Sequence, residues 1–313
     1  MPHLNGIHHV TAIAGDAQEN VNFYAGLLGL RLVKRTVNFD DPQSYHLYYG
    51  DGAGNPGTLL TFFAWPGARR GRPGLGQATA VSLSVGLGSL GYWSERLHAH
   101  SIPSETETRF GETVLVFADP DGMRLELVEA VSDPRRGWPE GHVPAEYAIK
   151  GIHSVTLPER SIADTTALLT GTLGFREIGT DGIVTRYASG AEPATFADVV
   201  FAPNAVSGQI AVGNIHHVAW RTPDDAEQTN WLRDLSALGY GVSPVMDRDY
   251  FHSIYFREPG GILFEIATDP PGFAVDESPE ALGHVLQLPA QYEPQRAQIE
   301  AGLPPLRVPK VDR

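Results

Sequence analysis

The chain has no cysteine in its 313 residues, which removes disulfides, thiolate metal sites and cysteine nucleophiles together. It has no apolar run near the roughly 20 residues that cross a bilayer. The opening MPHLNG carries none of the basic, apolar and small-residue regions of a signal peptide. A soluble, cytoplasmic protein with no membrane contact is the expectation. Basic charge is scarce as well: 23 Lys and Arg stand against 37 Asp and Glu, a formal net charge of −14. Only short pairs such as Arg69-Arg70 and Arg135-Arg136 interrupt that deficit, so nucleic acid is not an expected partner. With cysteine absent, any metal must sit on histidine and carboxylate.

What is present is a repeat. The stretch Ile-His-His-Val occurs at residues 7–10 and again at 215–218, and each copy opens a similar run of elements. In the first, a strand from Ile7 to Ile13 precedes DAQENVNFYAGLLGL. There Asp16 is placed to cap a helix with Glu19 three residues on, Val21, Tyr24 and Leu28 share one face, and Gly29 is placed to end it. Aromatic and β-branched runs divided by Gly, Asp and Asn turns follow, which read as antiparallel strands. The copy from Ile215 repeats the order, with Trp231, Leu235 and Leu238 expected inward on its helix.

GIHSVTLPE opens a third copy and TAVSLSV a weaker one. The expected fold is therefore α+β, four βαβββ modules at roughly 7–66, 78–130, 151–203 and 214–270. They divide the chain into an N-terminal pair (1–131), a linker rich in proline, glycine and charge (132–150), a C-terminal pair (151–270) and a tail (271–313). The tail is expected to drape over the surface, with one short helix around Pro294 to Ala301.

Stacking the modules yields a candidate site. The first strands place His9, Ser82, Ser154 and His217 in one column, and the last strands place Thr61, Glu126, Asp198 and Glu265 in another. Strand alternation predicts that the two histidines of each pair point oppositely, so only the second of each faces the cavity, in phase with Thr11. If modules one and four fold against each other, His9, His217 and Glu265 converge. Two imidazoles and a carboxylate on one face of an octahedral ion leave up to three positions open, as in non-haem Fe(II) oxygenases. Thr61 stands where a fourth ligand would be needed for a glyoxalase-like isomerase. With serine in both histidine positions, Glu126 and Asp198 lack partners, and a metal-free half is expected there. His46 and His252 read as core or pocket-wall residues.

The module order, IHHVT, IHHVA, YHLYYGDGAGNPGT and the long stretch DRDYFHSIYFREPGGILFEIATDPPGF resemble the vicinal oxygen chelate superfamily, and within it the ring-cleaving dioxygenases of hydroquinones. The resemblance covers nearly the whole chain. It implies paired modules forming two incomplete β-barrels, with the metal in the half made by modules one and four. It also implies Fe(II) as the ion, with Mn(II) suited to the same ligands, and a small aromatic diol and dioxygen as substrates. The implied ligands fall on His9, His217 and Glu265, and the implied supporting residues on Thr11, Arg248 and Tyr255, with His8 and His216 beside the ligands. A glyoxalase-like metal isomerase and a metal-free protein that binds an aromatic compound or drug are the competing functions. The sequence leaves self-association into a homo-oligomer open.

Overall fold

The computed structural model describes residues 3–193 and 195–310. Residues 1–2, 194 and 311–313, which fall in the expected N-terminal pair, third module and tail, lie outside the described residues. Each expected module is present with strand, helix and three strands. The first has β1 (Ile7–Ala14), α1 (Ala17–Val21, widening into a π-helical turn over Asn22–Leu27), β2 (Arg31–Asn38), β3 (Asp41–Gly50) and β4 (Leu59–Ala64). The second has β5 (Ala80–Val85), α2 (Leu90–Ala99), β6 (Ser104–Arg109), β7 (Glu112–Ala118) and β8 (Arg124–Glu129). The third has β9 (Gly151–Glu159), α3 (Ala163–Ala167, again widening, over Leu168–Thr172), β10 (Arg176–Asp181), β11 (Val184–Ala188) and β12 (Phe196–Phe201). The fourth has β13 (Asn214–Thr222), α4 (Asp225–Ala237), β14 (Met246–Asp247), β15 (Phe251–Arg257) and β16 (Leu263–Pro271).

Local chemistry accounts for the helix ends. The Asp16 carboxylate accepts from the Glu19 amide at 2.8 Å, and Asp224 accepts from Glu227 at 2.9 Å, each satisfying an amide that the helix leaves without a partner. Val21, Tyr24 and Leu28 are buried as their spacing predicts. Trp231 and Leu235 are buried on α4, but Leu238 is 60% exposed. It is the C-cap, so its side chain leaves the helix face that the repeat assigned to it. Gly29 sits at φ +70°, and a methyl group there would come within 2.7 Å of Val143 Cγ2. Only glycine both turns the chain at that φ and lets the linker pack against the turn.

The modules combine into two curled eight-stranded sheets. One runs β14-β15-β16-β13-β1-β4-β3-β2 and the other β10-β11-β12-β9-β5-β8-β7-β6. Modules one and four therefore share a sheet, joined by β1 and β13 running antiparallel, and modules two and three share the other. All eight residues of β1 are buried, as they must be in a central strand covered on both faces.

The sheets are tied together across modules. Tyr24 Oη donates to Asp119 Oδ2 at 2.9 Å, the Gly15 amide to Asp121 Oδ2 at 2.8 Å, and the Arg135 guanidinium to the carbonyls of Gly57 and Ile152.

The tail holds a 3-10 turn (Glu293–Gln295) leading into α5 (Arg296–Gly302), close to the expected helix. It is not merely draped over the surface. Phe273, Leu282 and Ile299 are buried, and the fully buried Lys34 ammonium is paired with both Asp276 and Glu277 of the tail. Through these buried ion pairs with β2 the tail closes the sheet of modules one and four. No helix among the described residues is long and apolar enough to cross a membrane.

Candidate metal centre

β1, β13 and β16 lie side by side and carry His9, His217 and Glu265 toward one point. His9 Nε2 and His217 Nε2 are 3.3 Å apart, and Glu265 Oε2 is 3.4 Å from the first and 2.9 Å from the second. An ion holding three such atoms at mutual right angles, at roughly 2.1 Å, would separate them by about 3 Å, so the set fits one face of an octahedron. All three residues are buried, and Glu265 Oε2 accepts no hydrogen bond. An orphaned carboxylate oxygen in a dry site is costly, and a cation between the three atoms removes that cost. No other group of three or more His, Asp or Glu residues among the described residues is arranged to hold a metal ion.

The histidine pairs depart from simple alternation. In the pairing of β1 with β13, Ile7 opposes Trp220 and His9 opposes Ala219, so His8 is an extra residue. Thr11 opposes His217 and Ala12 opposes Ile215, so His216 is another. Each pair thus sits at a β-bulge, which turns neighbouring side chains out of strict opposition. The Nδ1 atoms of His8 and His9 are 2.9 Å apart and those of His216 and His217 are 2.8 Å apart. One nitrogen of each contact must donate and the other accept. A ligand imidazole with its lone pair at Nε2 carries its proton at Nδ1, so with a cation at the cluster His9 and His217 would donate to His8 and His216, which would fix tautomer and ring orientation. The prediction that only the second histidine of each pair faces the cavity is corrected for one pair: His216 lines the cavity beside His217, whereas His8 is buried and does not line it.

Burial lowers His8 and His217 below the usual imidazole range and His216 to about 3, keeping them neutral, the form that coordinates metal. Burial alone would raise the Glu265 carboxyl, but the adjacent His9 and His217 hold it well below the carboxylate range. Ser253 Oγ donates to Glu265 Oε1 at 2.5 Å, orienting the carboxylate so that Oε2 faces the histidines. The sequence reasoning missed Ser253, although it lies two residues before Tyr255 and so on the same strand face.

His9 and His217 line a cavity of about 370 Å³ with Phe39, Phe63, Trp65 and Phe251 in its wall, and Glu265 is buried beside them. Thr11, His46, Tyr48, Arg248 and Tyr255 supply its polar groups. Tyr255 pairs with Glu265 across the β15–β16 hairpin, and its ring lies edge-on to His217 at 5.7 Å. Burial, and next the charge of Glu265, push its phenol up, so it remains protonated. Arg248 Nε donates to Tyr255 Oη at 3.3 Å, leaving the phenolic hydrogen free for another acceptor. Thr11 bonds Thr61 at 2.7 Å and Thr61 bonds His46 at 3.0 Å. His46 is thus in the site, whereas His252 is a half-exposed partner of Asp225.

The second sheet differs at the same columns. Glu126 accepts from Ser82, Arg109 and Arg124, and Asp198 is gripped at both oxygens by Arg186. The expectation that these carboxylates lack partners is corrected: guanidinium groups neutralise them.

The descriptive model of the Glyoxalase/Bleomycin resistance protein/Dioxygenase superfamily matches residues 6–127 and 151–266. The chain belongs to that superfamily. It is 49% identical over 307 residues to MhqO of Bacillus subtilis (strain 168), named provisionally as a ring-cleaving dioxygenase, covering 98% of each chain. It is 37% identical over 299 residues to a chlorohydroquinone/hydroquinone 1,2-dioxygenase of Sphingobium indicum, covering 93% of each. A crystal structure from Bacillus subtilis, also named provisionally as a dioxygenase, superimposes with a TM-score of 0.96 at 48% identity, covering 99% of this chain and 100% of that one.

Proposed function

We propose that the chain is an Fe(II)-dependent, extradiol-type dioxygenase that opens the ring of a hydroquinone or catechol-type substrate with dioxygen. The observation that carries this reading is the three-atom face of His9, His217 and Glu265, whose two histidines line an aromatic-walled cavity. The names of the relatives point the same way. Thr61 supports dioxygenase over isomerase, because its hydroxyl is engaged by Thr11 and His46 and the column that could supply a fourth ligand offers no carboxylate. Mn(II) suits the same donors, and iron is preferred for its chemistry with dioxygen.

His9, His217 and Glu265 would hold Fe(II), which when bound would lower the cost of ionising a phenolic hydroxyl and supply the chemistry with dioxygen. The chain does the rest. Phe39, Phe63, Trp65 and Phe251 hold the ring by apolar contact and exclude water. Arg248 stands over the Tyr255 and Phe39 rings, where it offsets negative charge on the diol or on the carboxylate formed from it. Tyr255, held protonated, donates a hydrogen bond to an oxygen anion in the cavity and can return a proton as the ring opens.

Metal analysis of anaerobically prepared protein, with oxygen uptake over a panel of hydroquinones and catechols, tests the reading. One iron per chain and oxygen-dependent loss of the aromatic absorbance are expected, and both should vanish in a folded His217→Ala variant. Turnover without oxygen consumption would instead favour an isomerase, and full metal retention in that variant would refute the ligand assignment.

A further inference from the structure

Four side chains form one hydrogen-bonded row beside the metal-type cluster. Thr11 Oγ1 contacts Thr61 Oγ1 at 2.7 Å, Thr61 Oγ1 contacts His46 Nε2 at 3.0 Å, and His46 Nδ1 contacts Tyr48 Oη at 2.9 Å. Register explains the row: Thr11 pairs with Thr61 between β1 and β4, and Tyr48 pairs with Thr61 between β3 and β4. Thr11 also opposes His217 on β13, so one end of the row abuts the ligands. Thr61 and Thr11 are fully buried, which leaves no route for bulk water into the middle of the row. Thr11 and His46 both line the cavity, so the row leaves it at one residue and returns to it at another.

We propose that His46 receives the proton lost by the substrate's metal-binding hydroxyl, delivered through Thr11 and Thr61. The inference rests on the functional reading above and deepens it by naming where that proton goes. The relay uses one of the two tautomers that the contacts allow. With its proton on Nδ1 donating to Tyr48 Oη, His46 presents a lone pair at Nε2, Thr61 donates to it and Thr11 donates to Thr61. The substrate O–H bond breaks, each threonine hydroxyl takes one proton and passes on its own, and an N–H bond forms at Nε2. One proton moves and no electrons do. The step returns in reverse when the opened product needs a proton.

Independently of the row, burial lowers His46 well below the usual imidazole range, with smaller downward contributions from His9, His217 and Arg248. His46 therefore starts neutral, with its lone pair unprotonated but weakly basic, and holds a proton only when a further negative charge stands beside it. The groups facing it are His9 on β1, His217 on β13, Glu265 on β16 and Arg248 before β15, with Tyr48 on its own strand and Asp40 in the same cavity wall. Only Glu265 among the first four favours the imidazolium. The negative charge left on the substrate would be the other stabilising partner, so the proton is held while substrate is bound and released afterwards.

His46 acts through two intervening hydroxyls and is a positioning and relay residue, so its test needs a signal that packing alone would not move. Iron-loaded protein is titrated anaerobically with hydroquinone, and the phenol-to-phenolate change is followed in the ultraviolet as a function of pH. Oxygen uptake is then measured on the same samples. His46→Gln keeps a hydrogen-bonding side chain but cannot hold the extra proton. Thr61→Val keeps the shape and cuts the row, leaving His46 in place.

Both variants should retain iron and bind hydroquinone, with phenolate appearing about one pH unit or more later than in wild type and turnover at neutral pH down roughly 10²-fold. Wild-type phenolate formation in both variants would overturn the relay alone. A wild-type chain that neither binds nor oxidises hydroquinone would overturn the functional reading and the relay with it.

Discussion

An imidazole binds a cation through one nitrogen only when the other holds the proton, and we propose that His8 and His216 enforce this. Their Nδ1 contacts to His9 and His217, at 2.9 and 2.8 Å, make the adjacent pairs orienting devices. His8→Phe keeps a buried ring and removes the acceptor, so metal affinity should fall by about 10–100-fold while the fold persists. Equal affinities in a chelator competition would remove His8 from the site. Tyr255→Phe asks a different question. Iron content and hydroquinone affinity should stay near wild type while turnover drops by roughly tenfold or more; unchanged turnover would make Tyr255 a wall residue.

The convergence of His9, His217 and Glu265 was legible because a repeated module lets columns be compared. The contact between neighbouring histidines was not legible, because a bulge is invisible to a two-residue period. His46 was legible as a core or pocket-wall residue, but its bond to Thr61 was not, because Thr61 was read as the lack of a ligand rather than as a link.

Among the elements, caps and turns followed from the sequence most directly. Asp16 and Asp224 cap their helices through the amides three residues on, and Gly29 ends the first helix at φ +70°. Leu238 was misplaced because the apolar period was extended past the C-cap. Gly29→Ala should destabilise the chain by about 1–2 kcal/mol through the left-handed backbone alone, and by more through the contact with Val143. A urea midpoint equal to wild type would show that the turn relaxes freely. The widening of α1 and α3 into π-helical turns had no signal in the spacing of their apolar residues.

Across the whole molecule, the pairing of modules one with four and two with three follows from where the histidines recur, since ligands far apart in sequence must meet. What the repeat could not supply is the chemistry of the second sheet, where Arg109, Arg124 and Arg186 neutralise Glu126 and Asp198. Arg109 and Arg186 lie on strands outside the aligned columns, and Arg124 lies on an aligned strand but two residues before the compared position.

The ties between the sheets also carry a pH signature. Burial raises Asp119, the acceptor of Tyr24, from 3.8 to about 6. Below the lower value the carboxyl is neutral in folded and unfolded chains alike. As pH rises from about 4 to 6 the unfolded chain gives up its proton first, so stability falls across that window, by about 2–3 kcal/mol, and the loss is constant above it. Asp119→Asn should abolish this component. A wild-type-minus-variant difference in unfolding free energy that stays flat between pH 4 and 7 would contradict it.

We propose that the chain opens an aromatic ring with both atoms of dioxygen. The most direct measurement of this is the oxygen consumed per hydroquinone lost by the iron-loaded protein, with quinone and hydrogen peroxide assayed in the same vessel. Equal consumption of oxygen and hydroquinone, an open-chain product and neither by-product is the predicted result. Benzoquinone accumulating with hydrogen peroxide, or no oxygen uptake by protein that holds its iron, would contradict the account.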